Sequence, residues 1–469
     1  MMFSDQEEES FNMALSKFES MLKSNKILFF DSEEFENIVL HYLDSGKINL
    51  SKKALKLGLE QHPDSIGLML VKVELMVFEN KIDEGFEITR KLKKLDPNNE
   101  EVYIQEANLY SKKGLHAQAI KSLDVALKFT DSEEDVFSLM AMEYLYMDEL
   151  GAAKHFFTKC LKLDPYDQSA LYNVVYCYDF LNLPLEAIKF LEDFINENPY
   201  SEVAWHQLGK QYVQTKDYQK AIQAFDFAYV VDEYFVGALI EKAKVYEKVK
   251  AYKKAILTYR ESLEIDNESA FVYWRIGRCY EKLGKNKKAA LSFIKSIKLD
   301  VLFEKSWLAI IDLYVKVDKL EKASLYLSQA VEVDDENPKY WEKYVEVCTL
   351  RNDWMGVEVA CRQLVLSGDY SLKNWTTWAD ASLKNGVVSH AIELLLKGEE
   401  HHPNSSEIDY RLAGLYFIFD EKEKSIYRLQ NAMMGDINSL HIFENNFPEA
   451  FQDAKVQQCI ADYKKRMND

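Results

Sequence analysis

The chain contains few of the residues that interrupt helices. Of its 469 residues, only 16 are glycine and 8 are proline, whereas Leu, Ala, Lys, Glu and Tyr are abundant. Hydrophobic residues make up 48% of the chain and charged residues 29%, which is typical of a globular protein. This composition predicts a mostly helical protein.

Long apolar runs are also missing. No stretch reaches 18 uncharged apolar residues, and the most apolar candidate, Gly67 to Phe78, is interrupted by Lys72 and Glu74. The first ten residues are acidic and contain no apolar core of the signal-peptide type. These absences predict a cytoplasmic protein without membrane insertion.

Signatures of catalysis and of bound cofactors are absent from the sequence. It has no glycine-rich phosphate loop, no His-Glu-x-x-His and no Gly-x-Ser-x-Gly. No cysteines form a Cys-x-x-Cys pair, so the six are interpreted as free thiols rather than metal ligands or disulfides: Cys160, Cys177, Cys279, Cys348, Cys361 and Cys459. We therefore expect no enzyme activity, no cofactor, no metal site and no small-molecule substrate.

Charge is unevenly distributed along the chain. The net charge of -19 disfavours a general nucleic-acid binder, because an acidic surface repels a polyanion. Residues 202–303, however, contain 18 Lys and Arg against 13 Asp and Glu, a net charge of +5. This basic segment within an acidic chain predicts a preference for acidic partners.

Self-similarity with a period of 34 residues organises most of the sequence. Five prolines are separated by multiples of 34: Pro63, Pro97, Pro165, Pro199 and Pro403. Cutting the chain every 34 residues from Ser32 gives twelve repeats without an insertion. The predicted repeats occupy 32–439 and start at 32, 66, 100, 134, 168, 202, 236, 270, 304, 338, 372 and 406.

Particular residue types recur at fixed positions of these repeats. Position 11 is tyrosine in nine repeats, and position 20 is small in all but one, where it is Val357. Position 4 contains four of the seven tryptophans: Trp205, Trp307, Trp341 and Trp375. Positions 4, 7, 8 and 11 form one stripe of a first helix, and positions 20, 24 and 27 form a stripe of a second helix. Each repeat therefore predicts a helical hairpin that must stack on its neighbours to bury both stripes.

This pattern resembles the tetratricopeptide repeat family, which has a large residue at 4, Leu-Gly at 7 and 8, Tyr at 11, Ala at 20, Phe at 24, Ala at 27 and Pro at 32. The repeat from Glu202 to Phe235 fits it best, with Trp205, Leu208, Gly209, Tyr212, Ala221, Phe225 and Ala228. Asp409 at position 4, and Val357 and Cys361 at positions 20 and 24, depart from it. The resemblance implies an all-α solenoid of helical hairpins, wound as a right-handed superhelix, that binds other proteins.

Both ends of the array are predicted to be capped, because an open end would expose apolar surface. Residues 1–31 contain an amphipathic stripe that includes Phe11, Leu15 and Phe18, and residues 440–469 contain a final helix from Pro448 to Met467. The N-terminal helix is expected either to cap the first repeat or to occupy the binding groove.

The resemblance implies that positions 2, 5, 6, 9, 12 and 13 of each first helix line a concave groove that holds a partner segment. In the second and fourth repeats these positions predict an apolar groove with Leu70, Val71, Leu139 and Met142. In repeats five to eight they predict a binding centre for an acidic or carboxylate-bearing peptide: Tyr172, Asn173, Tyr176, His206, Gln207, Lys210, Lys244, Trp274, Arg275 and Arg278. The residues that clamp chaperone tails in the family are not matched in any three successive repeats.

The primary functional prediction is a protein-interaction scaffold without catalytic activity. One alternative is a cytoplasmic regulator that senses a short free peptide. A second is an RNA-binding helical repeat, which the acidic net charge and the apolar lining oppose.

Overall fold

The computed structural model describes residues 5–24, 27–266 and 268–468, and every regular element in these ranges is a helix. The chain divides into two compact parts, Met1–Ala238 and Leu239–Asp469. The helices of the N-terminal part are α1 (Asp5–Ser24), α2 (Ser32–Asp44), α3 (Ile48–Gln61), α4 (Ile66–Phe78), α5 (Ile82–Leu95), α6 (Glu100–Lys112), α7 (His116–Ala126), α8 (Glu133–Tyr146), α9 (Leu150–Leu163), α10 (Gln168–Phe180), α11 (Pro184–Glu197), α12 (Glu202–Gln214) and α13 (Tyr218–Val231).

Helix α14 (Val236–Lys248) begins in the first part and continues into the second. The helices that follow are α15 (Tyr252–Ile265), α16 (Ala270–Lys282), α17 (Asn286–Leu299), α18 (Glu304–Lys316), α19 (Leu320–Val333), α20 (Pro338–Leu350), α21 (Trp354–Leu366), α22 (Leu372–Lys384), α23 (Val388–His401), α24 (Ser406–Ile418), α25 (Lys422–Gly435), α26 (Leu440–Asn446), α27 (Pro448–Gln452) and α28 (Ala454–Asn468).

The all-helical hairpin architecture predicted from the sequence is confirmed. From α2 to α24 the even-numbered helices begin 34 residues apart, except that α8 begins one residue early, at Glu133. The division into twelve repeats remains our interpretation of this spacing.

Capping residues explain where many of these helices begin. The residue before the helix is Asp31, Ser65, Asp167, Ser201 or Ser371 in five cases, and its side chain accepts a hydrogen bond from a backbone N–H of the first turn. Asp31 and Glu34 form a reciprocal capping box. These side-chain oxygens satisfy backbone donors that have no partner inside the helix.

The turn inside each hairpin has a left-handed residue at repeat position 15. This residue is glycine, asparagine or aspartate in most repeats, and those residue types tolerate a positive φ. Lys216 and Lys250 adopt the same conformation, with φ of 63° and 60°. Position 15 was not predicted as a turn from the sequence, although its residue types are typical of turns.

In two hairpins, close contact between the helices depends on glycine at position 8. A Cβ added to Gly209 would lie 2.5 Å from Phe225, and one added to Gly277 would lie 2.4 Å from Phe293. Both phenylalanines, at position 24, are fully buried. The absence of a side chain at position 8 therefore creates the space that the aromatic ring fills.

Tryptophans at position 4 connect three hairpins to the loop before them. The indole Nε1 of Trp307 donates to the carbonyl oxygen of Val301 at 2.8 Å, and that of Trp341 donates to Asp335 at 2.7 Å. Trp375 is the exception, because Asn374 Nδ2 donates to the Asp369 carbonyl at 3.1 Å instead, and the Trp375 Nε1 is buried without a hydrogen bond. These bonds explain why position 4 favours an aromatic residue with a polar group.

Helix α1 packs on the first hairpin. Phe18 and Met21 of α1 are buried with Phe30, and the ring of Phe18 contacts those of Phe30 and Phe35. Residues 1–4, 25 and 26 of the predicted N-terminal segment lie outside the described residues. In the described part, α1 covers apolar surface of α2, as a capping helix would.

The C-terminal end is not the single helix predicted from Pro448 to Met467. Three helices, α26, α27 and α28, follow Ser439. The break between α27 and α28 is at Asp453, whose backbone is extended and whose Oδ1 accepts a hydrogen bond from the Lys455 N–H at 2.9 Å. Asp453 therefore starts a new helix, and the periodic pattern on either side did not reveal this.

Candidate functional site

The ten residues of the predicted binding centre belong to both compact parts. Those from Tyr172 to Lys210 lie in the N-terminal part, and Lys244, Trp274, Arg275 and Arg278 lie in the C-terminal part.

In the N-terminal part, helix α10 presents an aromatic strip. Tyr172, Tyr176 and Phe180 are all exposed, and the rings of Tyr176 and Phe180 lie 4.6 Å apart between centroids. Asn173 is half-buried beside them. Exposed, preordered aromatic rings of this kind suit protein binding, because they offer apolar area at little entropic cost.

Helix α12 contributes less surface than predicted. Gln207 is 1% exposed and Gln211 is fully buried. The Gln211 Nε2 donates to the Asp179 Oδ1 of α10 at 2.8 Å, so α10 covers the face that these two glutamines share. Gln207 is therefore unsuited to the predicted hydrogen bond with a ligand backbone.

The other two predicted residues of α12 differ from each other. His206 is half-buried, and its ring lies 5.1 Å from the ring of Phe235 and 5.7 Å from that of Phe225. Lys210 is exposed. Of these two side chains, only Lys210 is freely accessible to a ligand.

The predicted apolar groove needs a similar correction. Leu70 and Val71 are each only 8% exposed, because Leu70 packs with Leu92 and Val102 and because Val71 belongs to the core that includes α1 and α2. Leu139 and Met142 are half-buried. Helix periodicity placed all four on one face of their own helices, but it gave no information about coverage by neighbouring helices.

The C-terminal part contains a basic cavity of about 590 Å³ between α14, α16 and α18. All four predicted residues of this part line it. The remaining lining residues are Glu247, Lys248, Tyr252, Lys282, Lys305, Leu308, Ala309 and Asp312. Six cationic side chains therefore face two carboxylates.

Arg275 is held in a hydrogen-bonded triangle at one wall of this cavity. Its Nε donates to the Glu247 Oε1 at 2.8 Å and to the Tyr259 hydroxyl at 3.1 Å, and that hydroxyl donates to Glu247 at 2.7 Å. Burial, followed by the charge of Glu247, raises the pKa of Tyr259, so this hydroxyl stays a donor. Arg275 thus braces α16 against α14 and α15, and a variant at this position would test folding together with binding.

Two more predicted cations have acidic partners on their own helices. Lys244 Nζ lies 2.7 Å from the Glu241 Oε1, and Arg278 Nη1 lies 2.8 Å from the Glu281 Oε2. Trp274 lies under the guanidinium of Arg275 and the ammonium of Lys305, 5.6 and 5.5 Å from the ring centroid. The tryptophan therefore supports two cations of the cavity.

Three lysines supply the uncompensated charge of the cavity. Among the described residues, no carboxylate forms an ion pair with Lys248, Lys282 or Lys305, and all three are exposed. The two lining carboxylates are already engaged, Glu247 by Arg275 and Asp312 by Lys343 at 2.6 Å. Sequence reasoning did not select these lysines, although they occupy the predicted groove positions 13 and 2.

No cluster of three or more His, Cys, Asp or Glu side chains among the described residues has an arrangement that could hold a metal ion. No helix in the described part of the chain is both long and apolar enough to cross a membrane.

Comparison with known proteins points to one family. The family model "Tetratricopeptide repeat" matches residues 135–167, 203–228, 236–269 and 272–300. The TPR repeat-containing protein YpiA of Bacillus subtilis is 24% identical over 143 residues, which is 30% of this chain and 33% of YpiA. Anaphase-promoting complex subunit 3 of Schizosaccharomyces pombe is 26% identical over 149 residues, or 32% of this chain and 22% of that subunit. The matched segment thus spans a third or less of either relative.

Among solved structures, a tetratricopeptide repeat protein from Parabacteroides merdae is 19% identical, with a TM-score of 0.36, and covers 52% of this chain and 97% of its own. The crystal structure of MamA protein is 24% identical, with a TM-score of 0.32, and covers 36% of this chain and 92% of its own. Each of the four matched segments spans two consecutive helices and the turn between them. These four segments of the chain therefore match tetratricopeptide repeats.

Proposed function

We propose that this protein is an interaction scaffold whose basic cavity in the C-terminal part binds an acidic segment of a partner protein. Tetratricopeptide repeats support a role in protein–protein interaction. The observation that carries the finer proposal is the excess of cationic side chains around the cavity, three of which have no acidic partner.

The lining fits a carboxylate-bearing segment in two respects. Lys248 and Lys282 occupy the same repeat position on α14 and α16, so they form a pair of exposed charges along one wall. Trp274 and Leu308 supply apolar contact area between the charges. Aromatic residues in a partly desolvated pocket surrounded by charged groups are typical of energetically important interface positions.

The aromatic strip of α10 is a separate binding surface in this proposal. Tyr172 and Tyr176 would contact apolar side chains of a partner, and the exposed Lys210 would contact its carboxylates. A peptide-sensing regulator would use the same surfaces for a free peptide, so the length of the bound ligand distinguishes the two functions.

Charge reversal tests the basic cavity. We expect the double variant Lys248→Glu/Lys282→Glu to lose binding to a blocked decapeptide of alternating glutamate and leucine by roughly a hundredfold at low salt, because two attractive charges become repulsive. These two lysines are preferable to Arg275, whose substitution would disturb the triangle with Glu247 and Tyr259. Isothermal titration calorimetry measures the change.

The control variant is Lys253→Glu/Lys287→Glu, which makes the same change in net charge at exposed lysines of α15 and α17, outside the cavity lining. Its affinity should stay within about threefold of the unmodified protein, since screened charges at a distance contribute little. Equal losses in both double variants would mean that overall charge, rather than this cavity, attracts the peptide.

A further inference from the structure

The N-terminal part contains a second cavity, of about 860 Å³, whose lining includes two carboxylates. It lies between α2, α4, α6 and α8. Its lining includes the carboxylates of Asp44 and Glu74, the amide of Gln105, and the exposed rings of Phe78 and Tyr146.

Two carboxylates of this cavity have no cationic partner. In the ranges that the structure describes, neither Asp44 nor Glu74 forms an ion pair or a hydrogen bond with another side chain. Glu74 is half-buried on α4, and burial, followed by the charges of Glu101 and Asp44, raises its pKa. The ionised form of Glu74 is therefore disfavoured unless a cation lies nearby.

An independent observation comes from the amide of Gln105. This side chain is only 6% exposed, and its Nε2 donates to the Glu101 Oε1 at 2.8 Å. Its Oε1 is buried and accepts no hydrogen bond. A buried amide oxygen without a donor costs free energy, and Gln105 belongs to the lining of the same cavity as the two carboxylates.

The cations already in the cavity are not placed to satisfy these acceptors. Lys112 is exposed and forms no ion pair among the described side chains. His116 is occupied by Glu143, with its Nδ1 2.8 Å from the Glu143 Oε2, and its ring lies 5.3 Å from that of Tyr146. Two carboxylates are therefore available to an incoming donor, and the buried amide oxygen of Gln105 also lacks a donor.

We propose that this cavity binds a partner segment that carries an arginine or lysine side chain flanked by apolar residues. The cationic group would lie between Asp44, Glu74 and Gln105, and the apolar neighbours would contact Phe78 and Tyr146. Arginine fits best, because its five N–H donors can bond two carboxylates and an amide oxygen together. The proposal does not rest on the acidic-segment site, which uses other residues in the other part of the chain.

The test is a selection from fully randomised, terminally blocked octapeptides by the immobilised full-length protein. We expect the recovered peptides to be enriched in sequences with one Arg or Lys between apolar residues. This enrichment should disappear in the variant Asp44→Asn/Glu74→Gln and persist in Asp83→Asn/Glu87→Gln, a matched change at exposed carboxylates of α5. The best peptide should bind the first variant roughly ten- to a hundredfold more weakly, and replacing its arginine by citrulline should have a similar effect.

A stability measurement separates binding from a structural role. Because the pKa of Glu74 is raised in the folded protein, its ionised form destabilises the fold above that pKa, so Glu74→Gln should increase the Tm at pH 7. An increased Tm together with weaker binding supports the site. No enrichment of Arg or Lys by the unmodified protein, equal enrichment by Asp44→Asn/Glu74→Gln, or a lowered Tm for Glu74→Gln would overturn the proposal.

Discussion

Replacing Arg428 by methionine is expected to reduce the free energy of unfolding by about 3 kcal/mol, because the mostly buried carboxylate of Asp409 would lose its cationic partner. The Arg428 Nη1 lies 2.8 Å from the Asp409 Oδ1 and 2.5 Å from the Glu399 Oε1. Asp409 is only 6% exposed. Urea unfolding followed by circular dichroism measures the loss.

This network explains how the last repeat tolerates an aspartate at position 4, where other repeats have a large residue. Arg428 of α25 links Asp409 of α24 to Glu399 of α23, so an ionic contact replaces an apolar one. The double variant Asp409→Leu/Arg428→Met should therefore recover most of the lost stability, since it removes both buried charges. Arg362→Met, at an exposed arginine, should change stability by less than about 0.5 kcal/mol.

The loss in Arg428→Met should also depend on pH. Burial already raises the pKa of Asp409, and Arg428 opposes this increase. Without Arg428, the pKa of Asp409 in the folded protein would be higher still. The loss of stability should therefore appear as the pH rises through this pKa. The variant should accordingly lose less stability at pH 5 than at pH 8. A loss that is independent of pH would contradict a role for the Asp409 charge.

Phe293→Ala is expected to cost about 3–5 kcal/mol, because the ring is fully buried and fills the space beside Gly277. Gly277→Ala should cost about 1–3 kcal/mol on its own, since the new methyl would lie 2.4 Å from the Phe293 ring. Hydrogen exchange of the α16 and α17 amides measures the decrease in the local free energy of unfolding. A local measurement is needed because neighbouring hairpins can unfold separately.

Combining the two changes tests the explanation. In Gly277→Ala/Phe293→Ala, the new methyl group no longer meets the Phe293 ring and fills part of the cavity that the missing ring leaves. The loss of stability in the double variant should therefore be smaller than the sum of the two single losses by about 0.5–3 kcal/mol. Gly151→Ala is the control, because nothing lies within 4 Å of a Cβ added there. It should be neutral or stabilising by up to about 1 kcal/mol. Additive losses would show that Gly277 and Phe293 do not share the packing site.

The sequence predicted the fold well, because the features that define it are local and repeated. The spacing of small and aromatic residues predicted helical hairpins, and capping residues such as Ser201 and Asp167 begin their helices. The break at Asp453 was not predicted, since it depends on a single capping side chain outside the repeated pattern. The ion pair between Asp409 and Arg428 was not predicted either, because the repeat pattern of the family does not indicate which residue compensates for an aspartate at position 4.

Surface residues were predicted less well, for a physical reason. A position on a helix face can be read from periodicity, but its exposure depends on what the neighbouring helices cover. Leu70, Val71 and Gln207 all lie on the predicted face, yet each is buried. Arg275 lines the cavity as expected, but its contacts with Glu247 and Tyr259 connect distant parts of the sequence and could not be read from spacing. Lys248, Lys282 and Lys305 became candidates only when their lack of acidic partners was visible.

Site-specific photo-cross-linking tests the central claim, that the basic cavity holds an acidic segment of a partner protein. A benzophenone amino acid would replace Leu308, which lines the cavity, or Leu291, which is exposed on α17 outside its lining. After irradiation in an extract of cells that express the protein, the cross-linked segments would be sequenced by mass spectrometry. The account predicts partner segments with net negative charge from position 308 and not from position 291. The same segments from both positions, segments without net negative charge at 308, or no cross-link from 308 would contradict it.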